Sequence, residues 1–287
     1  MHILVTGASG TVGSLVVPRL LERGATVRAL SRAPANRTFP AGVEPVAGDL
    51  DRPETLDGAF DGVDAVLLYP HTETAAEVVR RIEAAGVRRV VLLSSSSVED
   101  DGDGTEGSFG HRVHRPVEYA LERSGMEWTH LRGGEFMVND IDSYAGSVRT
   151  EGVIRAPNGD EPGAPVHEAD IADAATASLL EDGHHGHAYE LTGPEPITPA
   201  QRTSVIARAL GREVAFVHLT LAEARELWIS QGVPPEICDW LLWEPDPADA
   251  GAEWDIDQIV SKDYERVMGR PGRTYAQWVA DHLEAFQ

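Results

Sequence analysis

The sequence predicts an α/β fold, a Rossmann-type doubly wound parallel sheet with a small, mostly helical C-terminal substrate lobe. Three observations predict it. Short apolar runs alternate with single helix-length stretches through residues 1–135, the rhythm of parallel strands joined by crossover helices. A glycine-rich turn follows the first apolar run and opens into a helical pattern. Beyond Gly134 that rhythm stops, and a mostly helical stretch from Pro199 holds Trp228, Trp240, Trp243, Trp254 and Trp278.

The elements follow in order. Met1 to Val5 reads as a strand, and Gly7-Ala8-Ser9-Gly10-Thr11-Val12-Gly13 as a tight turn. The next helix has Val12, Leu15, Val16 and Leu20 on one face and closes at Gly24. Pro18 removes one of its hydrogen bonds and should bend it. Strands then follow at Thr26–Leu30, Glu44–Ala47, Ala65–Leu68 and Val90–Leu93, with helices at Pro53–Phe60 and Thr74–Ala85. Asp100 to Gly110 is acidic, glycine-rich and without an apolar anchor, so it predicts a mobile surface loop. A helix at Val117–Ser124 and a strand at Glu127–Arg132 complete the run; a further helix spans Asp170–Leu180 and a returning strand 188–192. Residues 1–135 with that strand form the expected cofactor domain, and 136–187 with 193–287 the lobe and C-terminal helices.

Composition narrows the function. Lys+Arg is 24 against Asp+Glu 47, a net charge of −23 that repels nucleic acid and anionic membrane surfaces. The one cysteine, Cys238, rules out an internal disulfide or a cysteine-rich metal site. No apolar run reaches the ~18 residues of a membrane span, and the chain opens into a strand without a signal-like segment. The expectation is a cytoplasmic protein acting on a small molecule, with a homo-oligomer left open. Lys262 is the only lysine, so a mechanism needing lysine elsewhere is excluded.

Gly7, Gly10 and Gly13, with Ser9, Thr11 and Val12 between them, lie between a strand and a helix, where backbone N–H groups and the helix dipole can face a pyrophosphate. The GxxGxxG spacing in Thr6-Gly7-Ala8-Ser9-Gly10 resembles the turn of extended and atypical short-chain dehydrogenases. After the second strand Leu30-Ser31-Arg32 stands where an NAD-binding chain would carry an acidic residue; a neutral Ser31 and cationic Arg32 suit a 2′-phosphate, hence NADP(H). Arg37 is a weaker second candidate. Gly48-Asp49-Leu50 resembles the adenine-contacting turn of the same families, and Tyr69-Pro70 follows the fourth strand at the ligand-binding edge.

Ser94-Ser95-Ser96-Ser97 ends the fifth strand. In short-chain dehydrogenases a serine here bonds the substrate carbonyl; Ser95 or Ser96 matches best, with Ser94 assigned to the cofactor. The bland alternative is that these hydroxyls only satisfy strand-end backbone groups. The Tyr-Lys pair that normally supplies the proton is absent: alignment puts Gly110 in the tyrosine position and His114 in the lysine position.

The run from His114-Arg115-Pro116-Val117-Glu118 to Trp128-Thr129-His130-Leu131-Arg132 resembles the NmrA-like NAD(P)-binding proteins. Phe136-Met137-Val138-Asn139, Asp170-Ile171-Ala172-Asp173, Tyr189 to Pro194 and Trp278 extend that resemblance over nearly the whole chain. It implies NADPH-dependent reductases, quinone reductases or redox-sensing regulators. The expected activity is reduction of a small ketone, quinone or conjugated alkene, with an NADP(H) sensor or a cofactor-supported non-redox enzyme as rivals. Two departures stand out. Gly133-Gly134-Glu135 replaces a Pro-Gly turn and should loosen it, and Pro116 favours a helix starting near Arg115, which leaves His114 ahead of it. His114 is expected to orient the cofactor ribose or relay a proton, with His111 as a weaker neighbour. His111, His114 and Glu118 have metal-like spacing but no fourth ligand, and no metal is expected; His184 to His187 reads as a solvated turn. Tyr144, Trp228, Trp240 and Trp243 are candidates for an aromatic substrate wall, with lobe core the alternative for each.

Overall fold

The computed structural model describes residues 1–242 and 256–287. Its strands are β1 (His2–Val5), β2 (Thr26–Ser31), β3 (Val43–Ala47), β4 (Ala65–Leu68), β5 (Arg89–Ser95), β6 (Glu127–Gly133), β7 (Val153–Ala156), β8 (His187–Leu191) and β9 (Ala215–His218). The principal helices are α1 (Gly13–Glu22), α2 (Ala75–Ala84), α3 (Phe109–Glu122), α4 (Gly146–Glu151), α5 (Glu168–Leu180), α6 (Pro199–Leu210) and α7 (Leu221–Ser230).

The chain divides into two compact units. The first comprises Met1–Gly133, Glu168–Leu191 and Asp263–Arg270. It holds a seven-stranded sheet in the order β3-β2-β1-β4-β5-β6-β8, every neighbouring pair parallel. Strand alternation splits the side chains between two faces. Leu4, Val66, Leu68, Val90 and Leu92 pack with Val78 and Ile82 of α2 and Val117 and Leu121 of α3 in one buried cluster. Each such side chain contributes roughly 1.5–3 kcal/mol on burial. The doubly wound sheet is therefore the architecture its apolar runs predict.

α5 belongs to this first unit and not to the lobe in which the sequence reading placed it. It is buried around most of its circumference, from Ile171 to Leu179, and Asp173 on it takes Arg19 of α1 at 2.7 Å. His184 and His185 also have structural partners: the Tyr189 hydroxyl at 3.1 Å and the Trp128 N–H at 3.2 Å.

Two helix boundaries differ from the sequence expectation. Pro53 to Phe60 is only a 3₁₀ turn over Pro53–Leu56, because Asp57 turns extended at ψ 124°. Conversely, α3 begins at Phe109 and runs through Pro116. Ser108 caps it by accepting the His111 N–H at 3.2 Å, and buried Gly110, Val117 and Leu121 offset the hydrogen bond that the proline removes. α1 likewise continues through Pro18.

The second unit comprises Gly134–His167, Thr192–Lys262 and Pro271–Gln287. It is mostly helical, as expected, but also pairs β7 with β9 in a two-stranded parallel sheet that the sequence pattern did not reveal. Trp278 is fully buried among Tyr275, Phe286, Ile206 and Val148. Among the described residues no helix is long and apolar enough to cross a membrane.

Candidate functional site

The turn between β1 and α1 is built by steric exclusion. Gly7 sits at φ +59°, the left-handed region that a side chain disfavours, and accepts the Gly10 N–H at 2.8 Å. A Cβ on Gly13 would overlap the Gly7 carbonyl oxygen, so this glycine lets the helix start against the turn. Within α1 the Ser14 N–H already donates to Gly10 O at 2.9 Å and the Leu15 N–H to Val12 O at 3.0 Å, so it is the N–H groups of the turn up to Gly13 that are left to face an anion at this helix end. Thr6 joins the turn to the next strand: its hydroxyl donates to Leu67 O at 3.0 Å and accepts the Tyr69 N–H at 2.6 Å. Val12 is buried, so only its backbone reaches a ligand.

Beside this turn lies a cleft of about 430 Å³. It brings together Gly7, Ser9, Ser31, Arg32, Arg37, Asp49, Leu50 and Tyr69 from the ends of the first four strands. Gly10, Thr11, Val12 and Gly13 form the adjoining helix start, whereas Pro70 and Ser94 lie outside the lining. Among the described residues neither Arg32 nor Arg37 has an ion-pair partner, so both guanidinium groups are available to a phosphate. Asp49 is shaped by its own loop, its Oδ1 accepting the Asp51 N–H at 3.1 Å and its N–H donating to Thr55 Oγ1 at 2.9 Å. Tyr69 is 56% exposed although its ring stands beside Gly7. Thr6, Ala33, Asp51 and His71 also line the cleft and were missed by the sequence reading. His71 Nε2 lies 3.0 Å from Asp51 Oδ1, a pairing across twenty residues that no local motif announces.

The end of β5 has a different chemistry. The Ser94 hydroxyl is buried and donates to Glu118 Oε1 at 2.6 Å, so it points into the protein and not toward the cleft. Glu118, wholly buried, also receives Arg132 Nε at 3.0 Å and its Nη2 at 2.7 Å, with Arg115 Nη1 at 3.5 Å. Arg132 continues to Asp100 at 2.5 Å, and Arg115 to the Gly102 carbonyl at 3.2 Å and to Glu122. The acidic loop, expected to be mobile for want of an apolar anchor, is thus tied by polar bonds to two buried arginines. Ser95 Oγ lies 2.8 Å from Ser97 Oγ, while Ser96 is exposed and bonded through its N–H to Gly133 O at 3.0 Å.

His114 lies within α3, not ahead of it. Its Nδ1 is 2.8 Å from the Gly110 carbonyl, a partner that can only accept, so Nδ1 carries the proton. Burial lowers its pKa below 6.5, against the opposing effects of the Gly110 bond and Glu118. Neutral His114 therefore presents a bare Nε2, an acceptor for a hydroxyl or water. His111 has its Nδ1 engaged by the Glu99 N–H at 3.1 Å.

In the second unit the Gly134-Glu135 turn is clamped. Glu135 receives Arg202 at both carboxylate oxygens, one at 2.6 Å, and its carbonyl accepts the Val166 N–H at 2.7 Å. This corrects the expectation of a loosened turn. Arg202 also faces Asp140 at 3.6 Å, and Tyr275 donates to Asp140 Oδ2 at 2.6 Å. Burial pushes Asp140 up to about 7; Arg202 opposes this and Glu135 adds to it. Tyr144, raised by burial, packs against the core of this unit. Trp228 is half-buried on α7 and Trp240 exposed, while Trp243 lies outside the described residues. A cavity of about 380 Å³ here has polar walls, among them Ser143, Ser147, Thr150 and Gln231, and includes neither Tyr144 nor Trp228. The expected aromatic wall is not what this cavity offers.

Residues 7–182 match a family model described as NAD(P)H-binding. The chain is 38% identical, over 99% of both proteins, to (4-alkanoyl-5-oxo-2,5-dihydrofuran-3-yl)methyl phosphate reductase of Streptomyces griseus. It is 32% identical, again over 99% of both, to NAD(P)H azoreductase of Xenophilus azovorans. Among solved structures, the NADPH complex of the quinone oxidoreductase QOR2 from Escherichia coli superposes with a TM-score of 0.78 at 26% identity, covering 98% of this chain and 99% of that one. The chain belongs to the NAD(P)H-binding family and is an oxidoreductase with NADP(H) as its cofactor.

Proposed function

We propose that this member of the NAD(P)H-binding family reduces small, flat, conjugated acceptors, namely quinones or activated alkenes, without a tyrosine–lysine proton donor. One observation carries the reading: α3 presents Gly110 and His114 one helical turn apart, and Lys262 is the only lysine in the chain. α3 therefore carries no phenol with a lysine beside it to protonate an alkoxide. Acceptors whose reduced form is a stabilised anion escape that need, because solvent can protonate them. The named substrate of the Streptomyces relative contains an unsaturated lactone, and the other two relatives are an azoreductase and a quinone oxidoreductase, which supports the same class.

The residues fit the dinucleotide. The positive φ of Gly7 and the lack of room for a Cβ at Gly13 keep the turn free of side chains, and Arg32 lines the cleft without an ion pair among the described residues. The N–H groups of Ser9, Thr11 and Val12 would hold the pyrophosphate against the bare Gly10, Arg32 and Arg37 the 2′-phosphate, and Asp49, Leu50 and Tyr69 the adenosine and its ribose. When bound, the reduced nicotinamide supplies a hydride. Ser95 or Ser96 would donate to the substrate carbonyl oxygen. Neutral His114, with its proton on Nδ1, would orient a hydroxyl or water through Nε2 and not act as an acid. Pro70 has no role in this reading, and Ser94 acts only through Glu118.

Titration with NADPH and NADH by calorimetry, followed by quinones, azo dyes and dihydrofuranones with NADPH oxidation recorded, tests the reading. Oxidation by a quinone or dihydrofuranone is expected; tight NADPH binding with no acceptor consumed would overturn it. Arg32→Asp is expected to weaken NADPH binding by about tenfold or more, the cost of losing a charge-assisted bond to phosphate, and to spare NADH. Equal weakening of both would remove Arg32 from the 2′-phosphate site.

A further inference from the structure

Glu118 occupies an unusual place in the first unit. Its carboxyl group is wholly buried, yet it touches three different parts of the site: Ser94 at the end of β5, Arg132 near the end of β6, and, through Arg115 and Arg132, the loop from Asp100. Ser94 and Arg132 are direct register partners, so the carboxylate spans the two strands at one level. The next residues along β5 are Ser95 and Ser96. One helical turn before Glu118 on α3 is His114. The loop is tied from the same point, with Asp100 on Arg132 at 2.5 Å and the Gly102 carbonyl on Arg115 at 3.2 Å. None of these bonds reaches a residue lining the 430 Å³ cleft.

We propose that Glu118 is a positioning residue for the reduction step, resting on the reductase reading above. It holds the strand end with Ser95 and Ser96, the helix with His114, and the loop beginning at Asp100 in one arrangement, without contributing to dinucleotide affinity. The physical reason is that a buried carboxylate satisfied by two guanidinium groups and a hydroxyl has one low-energy geometry. Each donor fixes a different element, so a neutral replacement frees all three together. Misplacement of catalytic groups by about an ångström can cost on the order of 100-fold in rate.

The test uses Glu118→Gln, Glu118→Asp and, because Asp100 is 83% exposed and its loss spares the core, Asp100→Asn. Glu118→Gln is expected to lower kcat with a quinone by roughly 10- to 100-fold, to leave the NADPH Kd within about twofold, and to speed amide exchange over residues 100–107. Glu118→Asp should recover part of kcat, and Asp100→Asn should show the same pattern at a severalfold level. A folded Glu118→Gln protein with unchanged kcat, or an equal loss in NADPH affinity, would overturn the proposal. If Glu118→Gln does not fold, Asp100→Asn decides: unchanged kcat and unchanged exchange would overturn it. If the unaltered protein consumes no acceptor, the reductase reading fails. The loop's exchange then still tests the anchoring, and unchanged exchange in Asp100→Asn would overturn that as well.

Discussion

Each unit buries one carboxyl group against arginine, and the buried group has two guanidinium groups within reach in the first unit and one in the second. In the first unit Glu118 faces two guanidinium groups, Arg132 and Arg115, and a serine hydroxyl. In the second, one guanidinium group, Arg202, serves two carboxyls, Glu135 and Asp140. Glu135 keeps 45% of its side chain in water and takes Arg202 at both oxygens, while Asp140 is buried and relies on the Tyr275 hydroxyl. Burial then holds the Asp140 pKa near 7. The number of cations per buried anion, and which anion keeps its water, separates a cluster that locks structure from one that titrates near neutrality.

Breaking the first cluster should have the largest effect. Arg132→Leu leaves Glu118 with only the more distant Arg115, and losing one partner of a buried pair costs roughly 3–5 kcal/mol. Urea denaturation measures it; a loss under about 1 kcal/mol would make this cluster a surface-like pair. Arg202→Leu should cost less, about 2 kcal/mol, because Asp140 can take up a proton and Glu135 reaches water. An equal or greater loss than for Arg132→Leu would erase the contrast between the clusters.

A smaller effect is pH-dependent. Folding raises the Asp140 pKa from 3.8 to about 7, so folding favours its protonated form. The stability this contributes is fully present below 3.8 and is lost as pH rises through about 7. Asp140→Asn should remove that slope, and denaturation midpoints at about pH 5 and about pH 8 should then differ less than in the unaltered protein. An unchanged difference would place the titration elsewhere. Smallest is the change in His114, whose pKa burial lowers from 6.5 while nearby Glu118 opposes. Reduction should be flat across neutral pH and fall only below 6.5; His114→Gln should abolish that acid limb, as a rate profile would show.

The glycine turn and the arginine of the cleft proposed for the dinucleotide were legible in the sequence because their requirements are local. Gly7 needs a positive φ and Gly13 a missing Cβ, both within one short turn, and Arg32 follows its strand directly. The start of the helix that carries His114 is not legible locally: Pro116 favours a start near Arg115, but Ser108 caps the helix eight residues before the proline and tertiary packing tolerates it. Ser94 looked like a cofactor residue by position, but its direction is set by Glu118, which comes 24 residues later in the chain.

The sequence alone therefore determined the strand rhythm, the glycine turn, the arginine at the end of β2 and the absence of a tyrosine–lysine pair on the third helix. These depend on residue identity within a few positions, where backbone sterics and strand or helix periodicity act. Only the tertiary structure decided the anchoring of the acidic loop, the His71–Asp51 pair, the β7–β9 sheet and the two arginine clusters. Arg132 and Glu118 are 14 residues apart, and Tyr275 and Asp140 are 135 apart. Charge pairs at such separations form wherever the chain path brings them together, and burial then sets how strongly they hold and whether they titrate.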